Sequence, residues 1–200
     1  MSHDSKEAKR FYAADRRAWR TWLEHNHAVF RGVWLVYDKG TAGRRTLTYD
    51  DIVDEALCFG WIDSLTHSLD DKQAMLYISP RNANSPWSKL NKQRVARLID
   101  AGLMTDAGLE VVEASKANGS WTSYDAIEEL IVPPDLARAL AGNKTAEKNF
   151  EAFSASNKKQ ILWYIASAKL PETRQKRIVQ IVGAAQQNTK PLQYKSRKNG

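Results

Sequence analysis

The sequence predicts an α+β fold: a small antiparallel sheet with helices in the N-terminal part, followed by an all-helical C-terminal part. Three observations carry this. The stretches rich in β-forming residues, Gly32–Tyr37, Trp61–Ser68 and Gln73–Ser79, all precede residue 80. From Ser85 onward, apolar residues recur at three- and four-residue spacing between Gly and Pro punctuation, and no strand signal returns. Hydrophobic residues make up 42% of the 200 and charged residues 26%, which suits a globular chain and excludes a collagenous or wholly disordered one.

Taken in order, Ala13–His25 predicts a helix, with Trp19, Trp22 and Leu23 on one stripe and Asn26 as its stop. Gly32–Tyr37 predicts a buried strand, closed by a turn over Gly40–Arg45. Thr48 is a strong N-cap for a helix through Phe59, because Asp50 and Asp51 in its first turn oppose the positive end of the dipole. Ile52, Val53, Ala56 and Leu57 form its core stripe, and Gly60 stops it. Two strands, Trp61–Ser68 and Gln73–Ser79, are joined through the polar run Leu69–Lys72. Ser85-Pro86 predicts the next helix start, with Leu90, Val95, Leu98 and Ile99 inward and Gly102 at the end. Further helices are expected over Thr105–Asn118, Pro134–Ala141, Thr145–Phe153, Ser156–Lys169 and Pro171–Gln187. Periodicity weakens between Trp121 and Pro134. The expected division is therefore a mixed region over 1–120, a helical region over 121–189 and a disordered basic tail over 190–200.

The net charge of +7 is concentrated at the C-terminal end, where residues 158–200 hold ten Lys and Arg against Glu172 alone. Such a balance attracts polyanions by counterion release, and a solvated basic helix is the plainer explanation. No apolar stretch approaches the ~20 residues that span a bilayer. Met1–Arg20 is polar where a secretory signal needs an apolar segment, so a cytoplasmic location is expected. The single Cys58 excludes an internal disulfide and a multi-cysteine zinc site.

The motifs Trp19-Arg-Thr-Trp22-Leu23, Val33-Trp34-Leu35, Glu55–Asp63, Pro80-Arg81, Ser85–Asn91 and Leu98–Gly102, with Trp163–Lys169 and Glu172–Ile178 later, resemble the YdeI/OmpD-associated, or bacteriocin-protection, family. The likeness runs over about residues 11–190. It implies a bacterial protein linked to envelope stress and to tolerance of cationic antimicrobial peptides, and it carries over no catalytic residue.

The residues themselves nominate Cys58–Asn91 as the densest chemistry. Strand alternation places Trp61, Asp63 and Leu65 on one face. With His67, Tyr77, Arg81, Trp87, Ser88 and Asn91 they could line a pocket of mixed polar and aromatic character. The plainer alternative is an Asp63–Arg81 ion pair fixing a loop, with Trp61 and Trp87 as core. Cys58 reads as packing, because Asp51, Asp54 and Glu55 precede it and the helix C-terminus opposes a thiolate. His25 and His27 lack further ligands at zinc spacing, so no metal or cofactor is expected. Gly40–Arg45 lacks Walker and Rossmann spacing, although Arg44 and Arg45 could touch an anion.

Five of the seven tryptophans fall in the first 90 residues, which suits a large aromatic core or a groove for an apolar ligand. Trp163 and Tyr164, with Ile161 and Ile165, read as core. In the last helix Ile178, Ile181, Val182 and Ala185 make an apolar stripe flanked by Lys169, Arg174, Lys176 and Arg177. Three functions follow in order: a non-catalytic stress-tolerance protein binding a small molecule, peptide or partner protein; a nucleic-acid or anionic-surface binder using those four cations; and an enzyme with a pocket near Trp61. The sequence leaves ligand and oligomeric state open.

Overall fold

A computed structural model describes residues 8–40 and 47–189. The turn holding Arg44 and Arg45, and the tail from Lys190, lie outside the described residues. The chain divides between Ser123 and Tyr124 into two compact units.

The first unit is built on a four-stranded sheet in the order β1-β2-β4-β3, formed by β1 (Arg10–Tyr12), β2 (Val33–Asp38), β3 (Trp61–Ser68) and β4 (Gln73–Pro80). Strands β2, β4 and β3 pair antiparallel. The three-residue β1 adds a parallel edge to β2, through Phe11 opposite Leu35, so the sheet is mixed. It is too short to leave a periodic signal.

Helices α1 (Arg16–Asn26), α2 (Tyr49–Cys58), α3 (Lys89–Asp100) and α4 (Asp106–Ala117) accompany the sheet. Asp15 caps α1 by accepting from the Ala18 amide at 2.8 Å. Thr48 and Asp51 form a reciprocal capping box on α2, and Gly60 ends it at φ 72°, a conformation that other residues adopt only under strain. Trp19, Leu23, Val33, Leu35, Ile52, Leu57, Trp61, Leu76 and Ile78 make the core, all but sealed from solvent.

Two local expectations need correcting. Helix α3 begins at Lys89 with Ser88 as N-cap, because Arg81 takes the Ser85 and Pro86 carbonyls and holds that stretch out of the helix. Of its expected inward residues Val95 and Leu98 are buried, whereas Leu90 and Ile99 are exposed and the inward stripe is completed by Arg94. Strand β3 also breaks its alternation. Asp63 pairs with Ile78 and Leu65 with Tyr77, leaving Ser64 as the extra residue of a bulge, so Asp63 and Leu65 stand on opposite faces.

The second unit is helical among its described residues: α5 (Asp125–Glu128), α6 (Pro134–Ala141), α7 (Lys144–Ala152), α8 (Ala155–Ala166) and α9 (Pro171–Gln186). The single-turn α5 was not legible by spacing. Ile178, Ile181 and Ala185 of α9 are buried against Leu136, Leu140, Phe150, Ile161 and Ile165. Trp163 is 41% exposed, not core, because it lies on the side of α8 away from Ile161 and Ile165, edge-on to Tyr124. Among the described residues no helix is long and apolar enough to cross a membrane.

Arg174 clamps Asp135 with a bidentate pair, Nε at 2.6 Å and Nη2 at 2.9 Å. The Arg174 hydrogen bonds hold the Asp135 carboxyl below its ordinary 3.8. A lowered carboxyl stabilises the fold fully above its unfolded value and loses that contribution as pH falls through the folded one. The second unit is therefore expected to lose about 0.5–1 kcal/mol from this pair as pH falls below the ordinary carboxyl value of 3.8, and Asp135→Asn should remove that share of the acid dependence in urea titrations.

Candidate functional site

The structure disperses the residues nominated by the sequence. Trp61 is sealed in the core, edge-on to Trp22 at 6.0 Å. Asp63 accepts from the Tyr49 hydroxyl at 2.9 Å, and burial followed by that bond pushes the phenol up to about 12. Among the described residues Asp63 and Arg81 form no ion pair. Arg81 instead lies over Trp87, its guanidinium carbon 3.8 Å from the ring centroid, and burial brings its pKa down to about 10. The Ser88 hydroxyl accepts from the Asn91 amide, so both serve the α3 cap. His67 and Tyr77 pack on Trp34, at 5.2 and 5.3 Å, on the face of the sheet away from the Leu35, Leu76 and Ile78 core. Trp61, Arg81 and Trp87 therefore belong to one side and His67 and Tyr77 to the other. Cys58 is buried and its thiol is pushed up to about 11, by burial first and Glu55 second, which fits the packing role.

Of the four C-terminal cations, Arg174 is committed to Asp135. Arg177 donates to the Tyr164 carbonyl and to the Ser167 hydroxyl while stacking on the Tyr164 ring. Lys169 and Lys176 are exposed.

What the structure does assemble is a groove along α1. Phe11, Ala18, Thr21 and Trp22 form its floor and walls, and Asp15, Arg17, His25 and Asn26 its rim, around an open volume of about 510 Å³. That volume lies in the range of small-molecule sites. Trp22 is the hub of its floor. Its ring stacks on Phe11 at 5.5 Å and on Trp19 at 5.3 Å and touches Phe30 at 5.4 Å. Unlike Trp19, whose indole N–H donates to the Ile52 carbonyl and which is fully sealed, Trp22 is only half-buried and keeps part of its ring for the groove. The rim is mixed. The Asn26 amide donates to the Trp22 carbonyl and His25 Nδ1 lies 2.7 Å from the Thr21 carbonyl, so both are braced against their own helix. The α1 stripe was legible, but β1, which supplies Phe11, was not.

Helix α2 carries a double ion-pair ladder. Asp51 and Glu55, four residues apart, meet Arg16 at 3.0 and 2.6 Å, and Glu55 also meets Arg20 at 2.7 Å. One hundred degrees round the helix, Asp50 and Asp54 meet Arg94, and Asp54 meets Arg97 at 2.6 Å. Asp54 and Glu55 are buried. The paired i, i+4 acids of α2 and the matching arginines of α1 and α3 were the sequence signal for this ladder. It neutralises Arg16 and Arg20, leaving Asp15 and Arg17 as the balanced charges beside the groove.

Fold and site together define a two-part α+β chain, with a sheet-bearing unit that carries an aromatic groove and an all-helical unit after it. Residues 129–188 match the family model described as Bacteriocin-protection, YdeI or OmpD-Associated (OmdA). Residues 11–111 match a model described as Domain of unknown function (DUF8412), which covers half the chain, and the protein belongs to that family with an OmdA domain as its helical part. No curated protein and no solved structure matches the chain.

Proposed function

We propose that the protein is a non-catalytic binding protein of the YdeI/OmpD-associated kind, acting in the bacterial cytoplasm in tolerance of cationic antimicrobial peptides. It would do so by holding a small apolar ligand, or an apolar segment of a peptide or partner, against Phe11 and Trp22. The observation that carries the reading is the half-buried Trp22 ring flooring an open groove of about 510 Å³. A ring kept partly in water is an anchor for an apolar partner, and its cost is recovered when that partner covers it. Asp15 and Arg17 offset each other at the rim, so the groove selects by shape and aromatic contact more than by charge. Simple capture of cations by a chain of net charge +7 is disfavoured, and an indirect role through a bound ligand or partner fits better.

Indole is a suitable probe for NMR titration of the full chain. Shifts are expected at the Ala18 and Thr21 amides and the Trp22 indole. Thr21→Trp should fill the groove from its exposed wall, lower indole affinity at least about tenfold and leave stability within about 0.5 kcal/mol. Equal binding by the variant would reject the groove.

A further inference from the structure

We propose that the first unit carries a second binding site, a recess for a phosphate group formed by Arg81, Trp87 and Trp121 with Lys92 and Lys116 at its margin. It is independent of the groove reading. Arg81 is 9% exposed, and its Nη2 donates only to main-chain carbonyls, those of Ser85 at 3.1 Å and Pro86 at 2.6 Å. Among the described residues no carboxylate reaches it. Its Nε is sealed from solvent and makes no hydrogen bond, and the same holds for the indole Nε1 of Trp87, on which the guanidinium is stacked. Two buried donors on touching side chains, one of them on a cation without a counter-charge, together call for an acceptor that carries negative charge.

Arg94 is the internal comparison. It is buried as deeply, at 7%, and its Nε is also unpaired, yet Asp50 and Asp54 balance its charge. An idle Nε is therefore tolerated in this protein. An unbalanced guanidinium beside a second idle donor occurs, among the described residues, only at Arg81. Two lysines stand at the margin. Trp87 packs on Trp121 at 4.9 Å, and the Lys92 and Lys116 ammonium groups stand 5.5 and 5.7 Å from the Trp121 ring centroid. Lys116 is itself paired with Glu113 at 2.8 Å, so the uncompensated charge that selects the ligand is that of Arg81, and phosphate offers guanidinium and N–H donors the geometry they bind best.

Access runs through the 82–86 loop. Asn82, Ala83 and Asn84 are exposed, and the loop is pinned where the Asn118 amide and Ser120 hydroxyl donate to the Ala83 carbonyl, at 2.9 and 2.8 Å. Phosphate binding therefore requires Ser85 and Pro86 to move outward, so that phosphate oxygens replace their carbonyls as acceptors for Arg81 Nη2.

The test is titration of the full chain with inorganic phosphate against chloride at constant ionic strength, followed by the Trp87 indole resonance and by the melting temperature. The expected result is a saturable shift of that resonance with a rise in melting temperature. Arg81→Met should weaken phosphate binding at least about tenfold. Trp87→Phe keeps the ring and deletes one idle donor, so it should leave the phosphate-free protein folded and still weaken binding several-fold. That variant keeps the test decisive if Arg81→Met fails to fold. The proposal is overturned if phosphate produces no saturable shift, or if Trp87→Phe binds it as the unmodified chain does.

Discussion

Glu55→Ala is expected to destabilise the first unit by about 3 kcal/mol or more, at the lower end of the range for breaking a buried ion-pair network. Glu55 is 2% exposed and, among the described residues, is the only acid that touches both Arg16 and Arg20, so its loss takes a shared carboxylate from two guanidinium groups. Those arginines retain some solvent, with side chains 36% and 28% exposed, and Arg16 keeps Asp51, which is why the figure is not larger. Exposed pairs provide the contrast. Breaking Lys144–Glu147, whose lysine is 85% exposed, should cost under about 0.5 kcal/mol. Urea unfolding followed by tryptophan fluorescence checks both, and a Glu55→Ala loss below about 1 kcal/mol would mean that the ladder is ornamental.

Gly108→Ala should cost about 1–3 kcal/mol although alanine is the better helix former by about 1 kcal/mol. The decision lies in the neighbours. A Cβ on Gly108 would meet the Cys58 carbonyl oxygen at 2.3 Å, its carbon at 2.8 Å and the Leu57 oxygen at 2.9 Å, all backbone atoms that cannot swing aside. The start of α4 must then back away from the end of α2, straining the Thr105 amide and hydroxyl bonds to the Cys58 carbonyl, at 3.1 and 2.6 Å. Gly183, inside α9, has nothing within 4 Å of the same added atom. Gly183→Ala is accordingly expected to stabilise by up to about 1 kcal/mol. Opposite signs for one chemical change, read in parallel melts, isolate close approach as the cause.

Much of the fold was written in local signals, and the candidate site was not. Thr48 with Asp51, Gly60, and Pro134 with Gly142 mark element ends within the chain segment they end, so spacing alone located α2, β3 and α6. The departures come from tertiary contacts that spacing does not encode, some between distant strands and one, at Arg81, only four and five residues along the chain. The β1 edge exists because Arg10–Tyr12 finds β2 more than twenty residues on. Arg81 holds 85–86 out of α3. The Ser64 bulge turns Leu65 to the other face, which dissolves the face that alternation assigns to Trp61, Asp63 and Leu65. The groove shares this character: Trp22 was visible on the α1 stripe, but its half-burial depends on Phe11, Phe30 and Trp61 meeting around it. The ladder of α2 was legible in principle, since acids at 50, 51, 54 and 55 repeat at helical spacing opposite arginines at 16, 20, 94 and 97.

The groove leaves part of the Trp22 ring uncovered in an open volume of about 510 Å³, and an occupant is the central requirement of the proposed function. Native mass spectrometry of the gently purified full-length chain, set beside Thr21→Trp prepared identically, measures that most directly. The groove reading predicts a stoichiometric added mass on the unmodified chain that is absent from the variant and released on denaturation for identification. The same adduct on both proteins, or none on either, would contradict it.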